Sequence, residues 1–137
     1  MTLMMLRDDA LFTTTDGFGV RLSLPWIRSL PVASASDLQL QVDGSPVEHL
    51  LVALGERTVA PSALAFERGE WFVQDRLVLR VRGALEPGAH EVTVAYRLLI
   101  PYLPGGPDAP LTLPFATTRT LVLDAAAAVP TVSRDVA

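Results

Sequence analysis

The sequence contains no cysteine and no lysine, and its excess of charge is acidic. Without cysteine, no disulfide can hold the fold together, and no thiolate can act as nucleophile or metal ligand. Without lysine, neither Schiff-base chemistry nor the lysine of a phosphate-binding loop is available. The formal net charge of −4 lacks the basic signature of a nucleic-acid-binding protein. Thiol and lysine chemistry are therefore excluded for this chain. The absence of cysteine also fits a reducing compartment.

Long hydrophobic runs are also missing. The longest nearly uncharged run, residues 122–133, is too short and too rich in alanine to cross a bilayer. Two acidic residues, Asp8 and Asp9, lie near the start of the sequence, where a secretion signal would have a basic and then an apolar region. We therefore expect a cytoplasmic protein without a membrane segment. Its 137 residues predict one domain over residues 1–123 and a loose tail over residues 124–137, and the first nine residues are also expected to be loose.

The most informative segment is residues 86–106. Apolar side chains alternate with others from Val92 to Ile100, and a period of two over this length predicts a half-buried strand. We expect Pro101 and Pro104 to end this strand, because proline cannot donate to a strand ladder. A stiff, projecting loop is then predicted over residues 101–110, and such loops often carry function.

The rest of the chain repeats this extended pattern between turn signals. Residues 58–66 fit either a short strand or one turn of helix, and residues 17–24 fit a strand with one wet face. Together the segments predict about eight strands in an all-β fold, an antiparallel β-sandwich of jelly-roll or immunoglobulin-like type. The further strands are predicted at residues 38–42, 49–54, 69–73, 77–82, 111–115 and 118–123.

No reaction centre can be recognised in the sequence. There are two histidines, whereas a metal site needs three or four converging ligands. We expect His90 to be a solvated residue at a strand start and His49 to be a hydrogen-bonded core histidine. The carboxylates fall in predicted turns, where they usually bond their own backbone. The chain is therefore expected to have no catalytic, cofactor-binding or metal-binding residue of its own.

Two proline-bounded loops, residues 25–31 and 101–107, carry aromatic side chains that suit a binding surface. Tryptophan, tyrosine and arginine are enriched at the anchor positions of protein interfaces. An equally acceptable interpretation is that the side chains of Trp26 and Tyr102 pack into the core and hold the two loops against it. Trp71 and Phe72 lie in a strand-like stretch and are expected in the core. The candidate interface or active-site rim consists of Pro25, Trp26, Arg28, Pro31, Tyr102, Pro104, Gly105 and Gly106.

Five elements in order along residues 17–115 resemble the small beta subunit of bacterial C-glycoside deglycosidases. They are the loop Leu-Pro-Trp-Ile-Arg-Ser-Leu-Pro at residues 24–31, the strand ending in Val-Asp-Gly at 38–44, Trp71 with its following strand, Leu-Glu-Pro-Gly-Ala-His-Glu-Val at 85–92, and Leu-Ile-Pro-Tyr-Leu-Pro at 99–104. The sequence departs from the family pattern at Ile27, which replaces an aromatic residue, and at Pro101, which replaces a small polar one. These departures leave the substrate open.

The resemblance implies a partner that performs the reaction. In that family a sugar-isomerase-like TIM-barrel alpha subunit binds a divalent metal, commonly manganese, and a C–C bond of a 3-oxo-C-glycoside is cleaved by elimination. The beta subunit docks on the barrel and supports the active-site rim. This chain would then be the non-catalytic part of a carbon–carbon lyase complex in carbohydrate metabolism. Its exposed apolar loops also allow a homodimer.

A second class stays open, namely a stand-alone carbohydrate-binding or immunoglobulin-like interaction module. Such modules usually show aromatic side chains on a sheet face and often a secretion signal. A glycan-binding titration would separate this alternative from the subunit hypothesis.

Overall fold

The computed structural model describes residues 4–107, 109–126 and the short strand Arg134–Asp135. Within these residues two 3₁₀ helices, Val32–Ser34 and Pro61–Phe66, interrupt an otherwise extended chain. The strands are β1 Leu11–Thr13, β2 Gly17–Ser23, β3 Leu30–Pro31, β4 Ala35–Val42, β5 Ser45–Pro46, β6 Leu51–Leu54, β7 Arg57–Val59, β8 Glu70–Trp71, β9 Asp75–Arg82, β10 Ala89–Gly106, β11 Ala109–Val122 and β12 Arg134–Asp135.

Two main sheets pack face to face. The first has the strand order β1-β2-β9-β6-β7, and β12 adds to β9 in parallel. The second has the order β11-β10-β4-β5, and β3 pairs with β8 in a separate small ladder. Every pairing except that of β12 is antiparallel. The predicted all-β antiparallel sandwich is confirmed, with additional short strands that the sequence pattern did not indicate.

The core lies between the two sheets and follows the predicted alternation. Inward side chains of β10 from Val92 to Ile100 are fully or almost fully buried against inward side chains of β2 and β9. Tyr96 lies between two other aromatic rings, with centroid distances of 6.3 Å to Trp71 and 6.0 Å to Phe115. Burial raises the pKa of the Tyr96 phenol far above its ordinary range, so this ring is a neutral part of the core.

The long strand does not end at Pro101, and this prediction was wrong. β10 continues to Gly106 and pairs with β11 through a bulged register at Pro104. β4 begins opposite Leu98. Beyond Leu98 no described strand pairs with that edge of β10, so a missing backbone N–H there breaks no hydrogen bond. Pro101 can therefore stay in the strand, because the donor it lacks would face that free edge. The predicted loop is instead a two-stranded arm, defined here as the described residues 101–107 and 109–110.

β11 is also longer than predicted. The two segments at residues 111–115 and 118–123 form one strand from Ala109 to Val122, continuously paired with β10 from Leu111 onward. Pro114 does not divide it, since β11 is an edge strand and proline is tolerated where its missing donor faces outward.

Residues 4–9, the described part of the chain start, are packed rather than loose. Met5 and Leu6 are buried, and the buried Arg76 forms an ion pair with Asp9 at 2.8 Å. Arg119 of β11 binds Asp8 and donates to the carbonyl of Leu6 at 2.6 Å, which joins this segment to the second sheet. The face of β2 that was predicted to be solvent-exposed is also mostly buried, because the ring of Phe12 lies directly over Gly19.

Most of the predicted tail, residues 127–133 and 136–137, lies outside the described residues. Asp124 is anchored, since its carboxylate accepts hydrogen bonds from the backbone N–H and the hydroxyl of Thr13 at 2.7 and 2.5 Å. Residues 58–66 contain both alternatives that the pattern allowed, namely β7 and the second 3₁₀ helix. None of the helices in the described ranges is long or apolar enough to cross a bilayer.

Candidate functional site: the aromatic rim

The two proline-bounded loops meet in space. The indole Nε1 of Trp26 donates a hydrogen bond to the hydroxyl of Tyr102 at 2.5 Å, although 76 residues separate them in the sequence. The guanidinium of Arg28 lies 5.4 Å from the centre of the Tyr102 ring, within reach of a cation–π interaction. The structure therefore joins three of the predicted residues into one cluster at the base of the arm.

Each member of the cluster is held by the fold. Pro25 is buried, and Trp26 is half-buried against the core. Tyr102 keeps 46% of its surface exposed, and Ile27, which follows Trp26 in the sequence, keeps 74%. Trp26 therefore packs its loop against the core, while Tyr102 and Ile27 remain available to another molecule.

A third segment joins the cluster that the sequence did not indicate. The backbone N–H of Val73 donates to the hydroxyl of Ser29 at 2.8 Å, which fixes the turn after β8 beside the loop of residues 25–31. Phe72 and Val73 are 48% and 45% exposed there. The prediction that Phe72 lies in the core was wrong, whereas Trp71 is completely buried as expected.

The reason for this difference is where the strand ends. Trp71 is the last residue of β8, whereas Phe72 begins the turn that follows, and connecting segments run over the surface. Trp71 also donates its Nε1 to the carbonyl of Asp75 at 3.2 Å, which satisfies its polar atom. In the strand predicted at residues 69–73, adjacent side chains would face opposite sides, and this alternation was the signal that could have placed Phe72 on the surface. We call Trp26, Ile27, Arg28, Phe72, Val73 and Tyr102 the aromatic rim.

The remaining predicted residues shape the surroundings of the rim. Pro31 pairs with Glu70 in the ladder of β3 and β8 and is half-buried. Pro104, Gly105 and Gly106 are exposed along the arm. A Cβ atom at Gly105 would lie 2.6 Å from Cα of Leu111, so the two arm strands approach closely at this point. Pro31 thus braces the base of the rim, and the other three extend it outward.

An open groove of about 620 Å³ runs beside the rim. Its walls are largely apolar and come from the start of the chain, from the loop at Trp26 and from Phe115 of β11. Arg119 closes one side, and its guanidinium is held by Leu6 and Asp8. The rim and the groove form a continuous apolar surface flanked by two arginines, Arg28 at the rim and the ion-paired Arg119 at the groove.

The opposite end of the sandwich has a different character. Both ring nitrogens of His90 face acceptors at 2.6 Å, the carboxylate of Asp43 and the backbone carbonyl of Glu86. The hydrogen bond with Asp43, followed by that with Glu86, raises the pKa of His90, because both bonds favour the doubly protonated ring. The hydrogen bonds from His90 and from the Glu91 amide lower the pKa of Asp43 in return.

Both histidine expectations were wrong. His90 is 8% exposed and joins the turn before β10 to the turn after β4, whereas His49 is exposed. His49 lines a second groove, of about 1130 Å³, that contains none of the predicted rim residues. Among the described residues no three histidine, aspartate or glutamate side chains are grouped as a metal site would require.

Known proteins similar to this chain were found among bacterial deglycosidase subunits. The chain is 37% identical over 105 residues to a 3'-dehydrocarminate deglycosidase beta subunit of a Microbacterium species, covering 73% of this chain and 79% of that protein. It is 36% identical over 95 residues to a C-glycoside deglycosidase beta subunit of Microbacterium trichothecenolyticum, covering 65% of this chain and 72% of that protein. No protein-family model matches the chain. The extent and identity of these matches show that the chain belongs to the family of C-glycoside deglycosidase beta subunits.

Proposed function

We propose that this chain is the non-catalytic beta subunit of a heteromeric C-glycoside deglycosidase. In this proposal the chain docks on a metal-dependent TIM-barrel alpha subunit and shapes the rim of its active site. The alpha subunit would cleave the C–C bond of a 3-oxo-C-glycoside, and its divalent metal, manganese, would be held by that subunit alone. The complex would act in the cytoplasm, in carbohydrate metabolism.

The aromatic rim is the observation that supports this proposal. Its hydrogen bond and cation–π contact fix the ring of Tyr102 before any partner arrives, so little side-chain freedom is lost on binding. Its exposed apolar side chains stand next to one cation, which matches the composition of interface hot spots. A rim of this type can exclude water from a neighbouring active site without taking part in the chemistry.

The first experiment is co-expression with a family alpha subunit. We expect the two chains to copurify and to elute together in size-exclusion chromatography. Trp26→Ala combined with Tyr102→Ala should then weaken the complex by more than about 2 kcal/mol, measured by isothermal titration calorimetry, since buried aromatic anchors carry most of the energy of an interface. Failure of the wild-type chains to associate would reject the subunit role.

Two controls separate the rim from the general surface. Arg28→Ala should weaken the complex, whereas Arg82→Ala should not, because Arg82 is an exposed arginine on β9 at the end paired with Gly17, far from Tyr102. Tyr102→Phe removes only the hydroxyl that accepts from Trp26 and should retain most of the affinity. An unchanged dissociation constant in the double variant would return both aromatics to a purely structural role.

A glycan-binding titration on the isolated chain tests the alternative of a stand-alone module. The most exposed aromatic side chains among the described residues are Phe66, Phe72 and Tyr102, and they occupy a 3₁₀ helix, a turn and the arm. A stacking surface for sugars would instead be expected on a flat sheet face. Saturable binding of a glycan by the chain alone would favour the module over the subunit.

A further inference from the structure

β11 is the outer strand of the second sheet, and no strand among the described residues pairs with one of its two backbone edges. The direction in which each β11 residue points its backbone N–H and C=O groups follows from its pairing with β10. The amide of Asp43 donates to the carbonyl of Glu91 at 2.8 Å, so Glu91 faces β4 and Val92 faces β11. Val92 pairs with Arg119, and alternate residues of β11 counted from Arg119 therefore bond to β10. The residues between them direct their backbone polar groups outward, a C=O alone from each proline and both N–H and C=O from the others. They are Pro110, Thr112, Pro114, Ala116, Thr118, Thr120 and Val122.

The open edge has two halves of different character. In the half nearest the arm, Pro110 and Pro114 carry no N–H, so this part cannot form a regular ladder with another strand. In the other half, Ala116, Thr118 and Thr120 present three successive donor and acceptor pairs. No backbone hydrogen bond from elsewhere in the described ranges reaches these three residues.

Charge, the usual protection of such an edge, is absent from its outer face. Edge strands commonly carry charged side chains that prevent pairing with another chain. The outward-facing side chains from Thr112 to Val122 are all exposed and uncharged. Thr118 is held in place by a hydrogen bond between its hydroxyl and that of Thr93 at 2.9 Å. None of these β11 side chains therefore carries a charge that would oppose a second strand.

We propose that a second copy of this chain pairs with this edge, β11 against β11, in an antiparallel arrangement about a twofold axis at Thr118. In this register Thr118 faces Thr118 of the second copy, and Ala116 faces Thr120. Pro114 then faces Val122, whose carbonyl already accepts from the Ala125 amide at 3.2 Å. The donor that Pro114 lacks is thus not required, while the Pro114 carbonyl receives the Val122 amide.

The self-complementary pattern is what favours a second copy over a strand of another protein. A twofold contact requires each surface element to match itself, and here the missing donor and the occupied acceptor stand at equal distances from Thr118. The two copies would form one sheet of eight strands from two sheets of four. Val122, which is 50% exposed, would be covered by the proline of the second copy.

A cross-link tests the register directly, since the chain has no cysteine of its own. Directly opposed residues in a hydrogen-bonded antiparallel pair have Cα atoms about 5.5 Å apart, within the range that a disulfide spans. Full-length Thr118→Cys should therefore give a covalent dimer under mild oxidation. Thr112→Cys, on the same strand and face, should not, because the two copies of residue 112 would be roughly 40 Å apart. Equal cross-linking at both positions, or none at Thr118→Cys, would reject the proposed register.

Sedimentation equilibrium of the full chain tests the association itself. We expect a dimer whose dissociation constant rises roughly five- to ten-fold in Thr118→Lys, because like charges would meet at the axis. Thr112→Lys is the matched control and should leave the constant unchanged. A mixture of Thr118→Lys with Thr118→Asp should restore the dimer, which also shows that both variants are folded.

A chain that stays monomeric at about 100 µM, or a dimer insensitive to Thr118→Lys, contradicts the proposal, since edge pairing at this position must respond to a charge. This outcome would leave the function proposed above untouched, because that function rests on Trp26 and Tyr102 and is tested with the alpha subunit. A loss of alpha-subunit binding in the rim variants, conversely, would not alter the self-association constant.

Discussion

The two ends of β10 contrast sharply, although one continuous strand connects them. At the end near His90 the inward side chains are fully buried, and two turns are tied together by the imidazole. Beyond Ile100 most side chains of the strand are exposed, Tyr102 among them, and only Leu103 of the residues from 101 to 106 is still half-buried against the core. The comparison shows that the strand pattern alone does not make a core. Alternate side chains are buried only where an opposing sheet covers them. Beyond the end of that sheet, residues of the same type are exposed and can contact another molecule.

The largest effect should separate two adjacent aromatics at the boundary between core and rim. Trp71→Ala should lower the free energy of unfolding by about 3–5 kcal/mol, because it leaves a large cavity between the sheets. Phe72→Ala should cost less than about 1 kcal/mol, since that ring already faces solvent. Urea titrations followed by circular dichroism measure both values. Equal losses in the two variants would show that the boundary has been drawn in the wrong place.

A smaller effect is expected in the arm. Gly105→Ala should force the two arm strands apart, because the new Cβ would lie 2.6 Å from Cα of Leu111. Gly106→Ala is the matched control, as nothing lies within 4 Å of its Cβ position. We expect faster hydrogen exchange of arm amides in Gly105→Ala only, with a change in global stability below about 1 kcal/mol. Slow exchange retained in both variants would mean that the arm is not held by this close approach.

The smallest effect concerns the tied end and its dependence on pH. His90 has a raised pKa in the folded chain, so its bonds to Asp43 and Glu86 stabilise the fold fully below its ordinary pKa of 6.5. That stabilisation is lost as the pH rises through the folded value. The stability difference between wild type and His90→Gln should therefore be largest in mildly acidic buffer and should shrink in alkaline buffer, as measured by thermal unfolding across pH.

His49→Gln is the matched variant for this measurement, because it removes the other histidine, which is exposed. It separates the role of His90 from any general effect of losing an imidazole. A difference for His90→Gln that stays constant from acidic to alkaline pH would contradict the assignment of a charged, doubly bonded ring.

Much of the fold was readable from local patterns. The alternation from Val92 to Ile100 predicted a strand with a buried face, and the burial of alternate side chains confirms it. The proline-bounded loops at Trp26 and Tyr102 were recognised as a possible unit from composition alone. Their contact could not be predicted, because it joins residues 76 positions apart and depends on how the two sheets stack.

The errors share a physical cause. Proline was expected to end β10 at Pro101, yet whether a missing donor matters depends on whether a neighbouring strand lies on that side. His90 was expected in solvent, yet the turn at Asp43, 47 residues away, brings a carboxylate to one ring nitrogen while the other nitrogen faces the Glu86 carbonyl. In each case the deciding partner is distant in the sequence.

The sequence by itself determined the class of fold, the absence of thiol and lysine chemistry, and the strand period that selects inward side chains, since these follow from residue type and spacing along the chain. Only the tertiary structure decided which strand edges are free, which of two adjacent aromatics is buried and which loops meet. Those properties depend on what lies opposite each residue, and burial and hydrogen bonding are relations between distant segments.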